Sequence, residues 1–519
     1  MNKLVNFSKS YPLFSSFLMG MLTNLALAPL FFFPALVFIG LFALVIHSQG
    51  SYKQSTLCGY CYGFGYFLAG LYWISIGVSV YSEKFWWVVP IALILLPAFF
   101  AQFFALLGFA AHFYSKRIFF LNSFTALWIG AELLRTYLYT GFPWNLIGYS
   151  LAFSDIAIQM SSILGIFCLS FIVIFTSTSA LYIFDKKYKL FFVFFCMFTA
   201  PLWIYVYYHG SHRLKENRTI YTPVKFRLVQ PSVPQIDKWN LERFWDVVNT
   251  HKDLSLSNIS LFNPDMVIWP ESAVVVEPSY VSVYNALKSF VTDANAILIT
   301  GGVTDNLNNP NRTRYKLFVS MYAMDIDGSM IFDYHKAHLV PFGEYVPFSE
   351  YINYMGKITP GEMEYFPGDS GFIVSLPRQN LKIKPLICYE VIFPSEVLTN
   401  NKDADVILNV TNDGWYGVSS GPYQHFYSAR IRAVESGLPL IRTANNGISA
   451  IIDGAGRIIA KTNLNDVVYL DGYVPQKLTK PTEYSINKGK YIYYYLIFSF
   501  IIGSLFKRKQ PKKEGAWTT

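Results

Sequence analysis

Charged residues are scarce in this chain. Asp, Glu, Lys and Arg make up 14% of its 519 residues, and 53% of the residues are hydrophobic. A soluble protein carries about a quarter charged residues. Nearly all of the long apolar runs lie in residues 12–208, whereas residues 209–488 have an ordinary globular composition. This distribution excludes a fully soluble protein and predicts a membrane protein with one large extramembrane domain.

The apolar runs predict seven membrane spans before the large domain and one after it; seven spans in total is the alternative, because only the Pro29 region separates the first two runs and the last run is short. Most of them have about the twenty residues that cross a bilayer as a helix. Their approximate limits are 11–28, 31–48, 56–80, 86–113, 118–138, 157–184, 189–208 and 490–506. The predicted domains are a membrane domain over 1–210, a globular domain over 218–480, a final span over 489–507 and a tail over 508–519.

Basic residues predict the orientation of these spans. The net charge is +9, and most lysines and arginines of the short connecting segments fall on one side of the membrane under the eight-span count. These residues are Lys3, Lys9, Lys53, Lys116, Arg117, Lys186, Lys187, Lys189 and the basic residues of 507–513. Because positive loops stay in the cytoplasm, both termini are predicted there and the globular domain across the membrane. The globular domain has no basic stripe, so the charge does not support nucleic-acid binding.

Cysteine is scarce as well, with five residues in the chain. Four of them lie in predicted spans: Cys58, Cys61, Cys168 and Cys196. Cys388 stands alone in the globular domain, where an unpaired thiol facing an oxidising compartment invites oxidation and mispairing. A small buried core residue is the usual interpretation of a lone cysteine. The residues around Cys388 favour a thiolate nucleophile instead.

The globular domain alternates short β-branched runs with amphipathic stretches. Strands are predicted over Val224–Gln230, Met266–Trp269, Ile297–Val303, Leu317–Met324, Ile383–Cys388, Val406–Thr411 and Pro439–Thr443. Helices are predicted over 240–260, 280–292 and 422–437. Nearly continuous apolar strands that alternate with helices indicate buried sheets covered by helices on their outer faces. The irregular, apolar stretch Asn353–Pro367 is interpreted as a mobile lid.

Three segments of this domain carry reactive side chains at predicted strand ends or turns, where rigid scaffolds present catalytic groups. Trp-Pro-Glu271 follows the second strand, Lys336 precedes a tight turn that carries Glu344, and Cys388 ends the fifth strand. A thiol with an ordinary pKa of about 8.5 is mostly protonated at neutral pH. A carboxylate can take its proton, and an ammonium group stabilises the oxyanion that follows attack on a carbonyl. Together these types predict acyl transfer through a thioester.

The order Trp-Pro-Glu271, Lys336-x-x-Leu-Val-Pro-Phe-Gly-Glu344 and Ile-Cys388-Tyr-Glu390 resembles the carbon–nitrogen hydrolase (nitrilase) superfamily. That resemblance implies an αββα sandwich. With the predicted spans, Glu132-x-x-Arg135 and Gly141-Phe-Pro-Trp-Asn145, the whole chain is similar to the apolipoprotein N-acyltransferases. The implied fold is a polytopic α-helical membrane domain plus an α/β nitrilase-like αββα sandwich domain.

The resemblance also implies roles for individual residues. Glu271 is the general base, Lys336 stabilises the oxyanion and Cys388 is the acylated nucleophile. The implied supporting residues are Glu344, Tyr389 and Glu390, and the implied substrate-binding residues are Trp239 and Trp415. No cofactor is implied. His335 and His338 lie three residues apart on a turn without a third ligand, which is poor evidence for a metal site.

The implied reaction takes a fatty acyl chain from a membrane phospholipid and passes it to the N-terminal amine of a diacylated apolipoprotein. The implied location is the bacterial inner membrane, with a periplasmic catalytic domain and a monomeric chain. One alternative is a membrane-tethered amidase or nitrile hydrolase with the same triad and water as the acceptor. A second is a transporter or an inactive lipoprotein-binding scaffold, in which Cys388 would be dispensable.

Glu132 and Arg135 form a second charged motif, near the end of the fifth predicted span. They are three residues apart and so share one face of a helix. Charged groups at that depth are costly and are usually paired or functional. A structural ion pair is favoured here over contact with a lipid headgroup.

Overall fold

The computed structural model describes residues 2–79, 87–115, 120–179, 183, 188–306, 315–347 and 364–505. Its first part is helical. Short helices aside, the elements are α1 (Asn2–Ser10), α2 (Pro12–Thr23), α3 (Val37–Ser48), α4 (Tyr52–Leu71), α5 (Ile74–Ser79), α6 (Val88–Tyr114), α7 (Phe120–Tyr137), α8 (Ile166–Ser179) and α9 (Ala200–Glu216). They pack around an aromatic core that includes Tyr62, Phe104 and Trp128. Helices α2 to α9 overlap the first seven predicted spans along the chain, whereas α1 precedes them.

Two helices within the described residues are long and apolar enough to cross a membrane. They are Val88–Tyr114 and the continuous helical segment Phe192–Glu216. Shorter apolar helices cover Pro12–Ala26, Phe33–Ser48, Ile166–Ser179 and Lys490–Ile502. Length and composition alone do not establish eight crossings, so the span count stays a prediction.

Two sheets form the centre of the globular domain. The described residues contain strands β1 (Tyr221–Gln230), β2 (Met266–Ile268), β3 (Ile297–Asp305), β4 (Leu317–Met324), β5 (Met330–His335), β6 (Val374–Leu376), β7 (Leu381–Ile387), β8 (Val406–Thr411), β9 (Leu440–Ala444), β10 (Ala450–Ile452), β11 (Ile458–Lys461) and β12 (Val468–Pro475). The orders are β12-β1-β2-β3-β4-β5 and β11-β10-β9-β8-β7-β6. In each sheet three central strands are parallel, β1-β2-β3 and β7-β8-β9.

Helices cover the outer faces of the two sheets. Apolar side chains of both sheets, such as Phe226, Ile268, Ile383 and Leu408, share one buried core between them. On the far side of the first sheet lie α10 (Phe244–Leu256) and α11 (Val281–Ala294), which bury Trp269 and its neighbours. The second sheet is covered by α12 (Gly421–Ser436). The layers therefore run helix, sheet, sheet, helix, which confirms the predicted sandwich.

The helical domain packs against the second sheet rather than standing apart from it. Side chains of α3, α4, α7 and α8 share one continuous apolar core with Phe426 and Ala429 of α12. The backbone N–H of Ile166 donates to Glu435 Oε1 at 2.7 Å across this boundary. After the sandwich the chain returns to the helical domain as α13 (Lys490–Leu505). Strand β7, which Cys388 directly follows, therefore lies in the sheet that packs against the helical domain.

All seven predicted strands and all three predicted helices of the globular domain are present, with limits that differ by a few residues. The prediction missed β5, β6, β10, β11 and β12. These strands are short, or they lie at sheet edges and carry partly exposed side chains. Such strands lack the continuous apolar run that marks a buried one. The predicted lid, Asn353–Pro367, lies mostly outside the described residues.

Candidate active site

Three strand ends bring the predicted triad together at one edge of the sandwich. Glu271 follows β2, Lys336 follows β5 and Cys388 follows β7. Lys336 Nζ lies 3.3 Å from Glu271 Oε1, and the Glu271 and Lys336 charges both act on the pKa of the Cys388 thiol. Cys388 is 5% exposed, Glu271 6% and Lys336 1%. The three groups thus form one buried cluster.

The backbone fixes the position of Glu271. Its turn lies so close to β3 that a Cβ at Gly301 would stand 2.5 Å from the Glu271 Cα, so only glycine fits there. Glu271 Oε2 accepts the N–H of Asn412 at 2.8 Å, which leaves Oε1 facing Lys336. One carboxylate oxygen is therefore held by the scaffold while the other faces the reactive groups.

Lys336 lies between two carboxylates. Its ammonium donates to Glu344 Oε1 at 2.6 Å, and Glu344 Oε2 accepts the N–H of Val340 at 2.7 Å. Burial alone would lower the pKa of Lys336, but Glu344, Glu271 and Cys388 raise it well above its ordinary value. The lysine is therefore a fixed cation, which suits an oxyanion-stabilising group better than a base. Glu344, which the sequence predicts as a supporting residue, thus contacts the lysine directly.

Cys388 occupies a strained turn. Its φ is +50°, in the left-handed region that ordinary side chains avoid, and it opens a tight helical turn over Cys388–Ile392. Glu390 closes this turn: Oε2 accepts the N–H of Ile387 at 2.6 Å. Glu390 Oε1 accepts from Ala337 N at 2.7 Å and from the Tyr334 hydroxyl at 2.9 Å. One buried carboxylate thus ties the Cys388 turn to the segment that carries Lys336.

Replacing Glu390 with glutamine is expected to loosen both segments. The amide NH₂ would face N–H and O–H donors, and each buried unpaired donor costs about 1–3 kcal/mol. We expect a lower melting temperature and slower acylation of Cys388, measured by thermal unfolding and intact mass. Glu396→Gln is the matched control, because Glu396 is half-buried and faces His338 Nδ1 at a loose 3.6 Å. Equal melting temperatures for the two variants would contradict this role.

The resting thiol of Cys388 is neutral. Burial raises its pKa to about 12; Glu271 adds to that rise and Lys336 opposes it. The lysine charge favours the thiolate, but burial and Glu271 outweigh it. A base must therefore remove the proton during attack. A protonated, buried thiol also resists oxidation, since the thiolate is the reactive form.

Four further residues at the site were not assigned from the sequence. Lys238 Nζ donates to the Glu271 carbonyl at 2.7 Å. Burial lowers the pKa of Lys238 to about 7, although the charges of Glu271 and Cys388 act to raise it. Lys238 directly precedes Trp239, a predicted substrate-binding residue, and this position was the sequence feature that could have indicated its place at the site. A buried chain of contacts next to the Cys388 turn is formed by His425, Asp413 and Arg442. They come from separate elements, so no local pattern connects them.

The predicted tryptophans lie at the border of this cluster. Trp239 packs against the core between the sheets. Trp415 lies in the short turn Asp413–Tyr416. Its backbone packs closely against Gly77 of α5, where an added Cβ would lie 2.7 Å from the Trp415 carbonyl oxygen. Tyr389 is buried and its hydroxyl donates to the Gly141 carbonyl of the helical domain at 3.3 Å. Trp239 follows Lys238 and Trp415 follows the Asn412 turn, both of which contact Glu271, so the two tryptophans lie near the triad and their substrate role stays a prediction.

Two family models match the chain. The model described as "Carbon-nitrogen hydrolase" matches residues 227–475, and the model described as "Apolipoprotein N-acyltransferase N-terminal domain" matches residues 19–179. The apolipoprotein N-acyltransferase of Rickettsia prowazekii is 47% identical over 468 residues, which cover 90% of this chain and 93% of that protein. This chain belongs to the apolipoprotein N-acyltransferase family. The resemblance inferred from the motifs is confirmed.

Other members of this family match over similar lengths. The protein so named from Rickettsia bellii is 45% identical over 96% of this chain and 98% of its own length. The one from Rhodopseudomonas palustris is 37% identical over 90% of both chains. Among solved structures, Saccharomyces cerevisiae Nit3, of the nitrilase superfamily, covers 51% of this chain and 93% of that chain, with 17% identity and a TM-score of 0.37.

Proposed function

We propose that this protein transfers a fatty acyl chain from a membrane phospholipid to the N-terminal amine of an S-diacylglyceryl-cysteine apolipoprotein, through a thioester on Cys388. The observation that carries the proposal is the buried contact of Lys336 with Glu271 and Glu344 around that thiol. The shared family name, apolipoprotein N-acyltransferase, supports the choice of acceptor.

In the first half-reaction Glu271 takes the thiol proton as Cys388 Sγ attacks the ester carbonyl carbon of the phospholipid. Lys336 stabilises the oxyanion that forms. The carbon–oxygen bond of the ester then breaks, and the leaving alkoxide takes the proton from Glu271. The products are acyl-Cys388 and a lysophospholipid.

In the second half-reaction the amine of the apolipoprotein attacks the thioester carbonyl. Glu271 takes a proton from the amine, the carbon–sulfur bond breaks, and the thiolate of Cys388 leaves and regains that proton. The acceptor gains an amide-linked acyl chain. Because water would hydrolyse the thioester, the burial of Cys388 and Lys336 protects the intermediate between the two steps.

The substrates favour a membrane setting for this chemistry. We infer a polytopic inner-membrane protein with the domains predicted above, the sandwich on the periplasmic side and both termini in the cytoplasm. Apolar helices and the joint core of α12 with the helical domain support this arrangement. Holding the site at the lipid surface raises the effective concentration of two membrane-anchored substrates.

Cysteine labelling is expected to reveal this orientation. Leu261 is 84% exposed in the sandwich, and Lys9 is exposed near the N-terminus. In spheroplasts a membrane-impermeant maleimide should label Leu261→Cys before lysis and Lys9→Cys only after lysis, relative to the unsubstituted protein. The reverse pattern would contradict the proposed topology.

The reaction itself is tested by incubating the purified protein with phosphatidylethanolamine vesicles and measuring its intact mass. We expect an acyl adduct on Cys388 with release of lysophospholipid, and loss of the adduct when a diacylated lipopeptide is added. Steady release of free fatty acid without lipopeptide acylation would instead indicate the amidase-like alternative, with water as acceptor. No adduct at all would contradict the proposal.

A further inference from the structure

We propose that a loop of the helical domain, residues 140–147, positions the nucleophile, and that Arg135 and Glu132 act as positioning residues by holding this buttress loop. The proposal rests on the proposed function, because it assigns new residues to the same reaction. The sequence singled out Glu132-x-x-Arg135 and Gly141-Phe-Pro-Trp-Asn145 without connecting them to chemistry. The structure joins the two motifs.

Arg135 holds the buttress loop through its backbone. Its guanidinium donates to the carbonyls of Phe142 at 2.6 Å, of Trp144, and of Asn145 at 3.5 Å. The side chain is 3% exposed. Only arginine offers several donors in a fixed planar fork, so one side chain fixes the path of four consecutive residues.

Glu132 holds the other end of the loop. Its Oε1 accepts the N–H of Ile147 at 2.8 Å and the indole N–H of Trp128 at 3.2 Å. No ion pair within 4 Å joins Glu132 to Arg135 in the part of the chain that the structure describes. The favoured ion-pair interpretation is therefore wrong as a direct contact: the two charges attract each other at longer range, while each side chain hydrogen-bonds the backbone of the loop.

The shape of the loop depends on Gly141. Its φ is +77°, and an added Cβ would lie 2.4 Å from the Thr136 carbonyl oxygen and 3.1 Å from the Phe393 ring. This close approach brings the Gly141 carbonyl within 3.3 Å of the Tyr389 hydroxyl, which donates to it. Tyr389 directly follows the nucleophile. The loop thus contacts the residue next to Cys388.

A second route runs from Trp144 to the backbone of Cys388. The Trp144 ring lies 5.4 Å from the His425 ring, and its indole N–H donates to Gln424 Oε1 at 2.7 Å. His425 Nε2 lies 3.2 Å from the Cys388 carbonyl oxygen, within hydrogen-bond distance. On the other side of the ring, Nδ1 lies 2.8 Å from Asp413 Oδ1. His425 is therefore held between an anchored carboxylate and the nucleophile turn.

These contacts act on the turn that most needs support. A left-handed φ is unfavourable for cysteine and persists only when the surroundings fix it. The buttress loop reaches the Cys388 carbonyl through His425, and it contacts the Tyr389 side chain directly. A displacement of the thiol by about 1 Å can slow a reaction about 100-fold. The helical domain thereby contributes to catalysis in addition to anchoring the sandwich.

The test compares two rates in full-length Arg135→Lys and Trp144→Phe. Lysine cannot reach three carbonyls at once, and phenylalanine lacks the N–H that binds Gln424. We expect acylation of Cys388 from phosphatidylethanolamine vesicles to slow about 100-fold in folded Arg135→Lys and about tenfold in folded Trp144→Phe. Alkylation of the same thiol by iodoacetamide should become faster, because a loosened turn exposes it.

Because global unfolding would also expose the thiol and speed its alkylation, both rates are measured below the onset of thermal unfolding, where the folded fraction of each variant matches that of the parent. Trp203→Phe is the matched control. The indole N–H of Trp203, in α9, donates to Thr176 Oγ1 at 3.1 Å, and neither residue belongs to the buttress loop. Parent rates in both variants, or a parallel fall of both rates, would overturn the proposal. If the parent protein forms no acyl adduct, the proposed function fails, and unchanged alkylation in Arg135→Lys would independently overturn the loop's role.

Discussion

Cys388→Ser is expected to abolish acyl transfer. Removing a covalent nucleophile lowers catalysis roughly 10⁶-fold, which here means no measurable product. A serine hydroxyl has a far higher pKa than a thiol and forms an ester that the amine attacks more slowly than a thioester. The variant should show no mass increase after incubation with phosphatidylethanolamine vesicles and no acylation of a diacylated lipopeptide.

Cys196→Ser is the matched control for this experiment. Cys196 is an exposed free cysteine in the helical segment before α9, outside the globular domain that carries the triad. This variant should gain the acyl mass at the parent rate. An adduct that persists in Cys388→Ser, or that disappears in Cys196→Ser, would contradict the assignment of the nucleophile. A transporter or an inactive scaffold would retain its function in both variants.

Glu271→Gln is expected to have the second-largest effect. The loss of a general base slows proton transfer by about 10²–10⁴-fold, so acyl-Cys388 and lysophospholipid should form at that reduced rate. The shape of the side chain is kept, and the amide oxygen can still accept the N–H of Asn412 that now binds Oε2. Glu277→Gln is the matched control, because Glu277 is half-buried and accepts the N–H of Asp305 outside the cluster.

The same variant should change thiol alkylation in the opposite direction. The Glu271 charge raises the pKa of Cys388 and the Lys336 charge lowers it. Glu271→Gln should therefore lower the thiol pKa and shift the rise of the iodoacetamide rate to lower pH. Lys336→Met should raise the pKa further and shift that rise to higher pH. Both shifts are read from alkylation rates over pH 7–11; shifts in the same direction would contradict the arrangement of charges.

Much of the sandwich was predictable because its central strands are buried on both faces. Runs such as Val406–Thr411 are apolar throughout and are bounded by turn residues, so their limits were predicted correctly. Edge strands such as β6 and β11 depend on their partners for definition and were missed. Strand β5, which directly precedes Lys336, was missed for the same reason.

The sequence alone determined the chemical type of the site: one cysteine outside the apolar runs, with Glu271, Lys336 and Glu344 in motifs at the ends or turns of strands. Local patterns report such features because neighbouring residues create them. Three properties follow from the folded chain: Cys388 rests as a neutral thiol, Lys238 lies beside the triad, and Arg135 hydrogen-bonds the backbone of a loop rather than the Glu132 carboxylate. Burial and contacts between residues far apart in the chain set these properties, and no local pattern of residues records them.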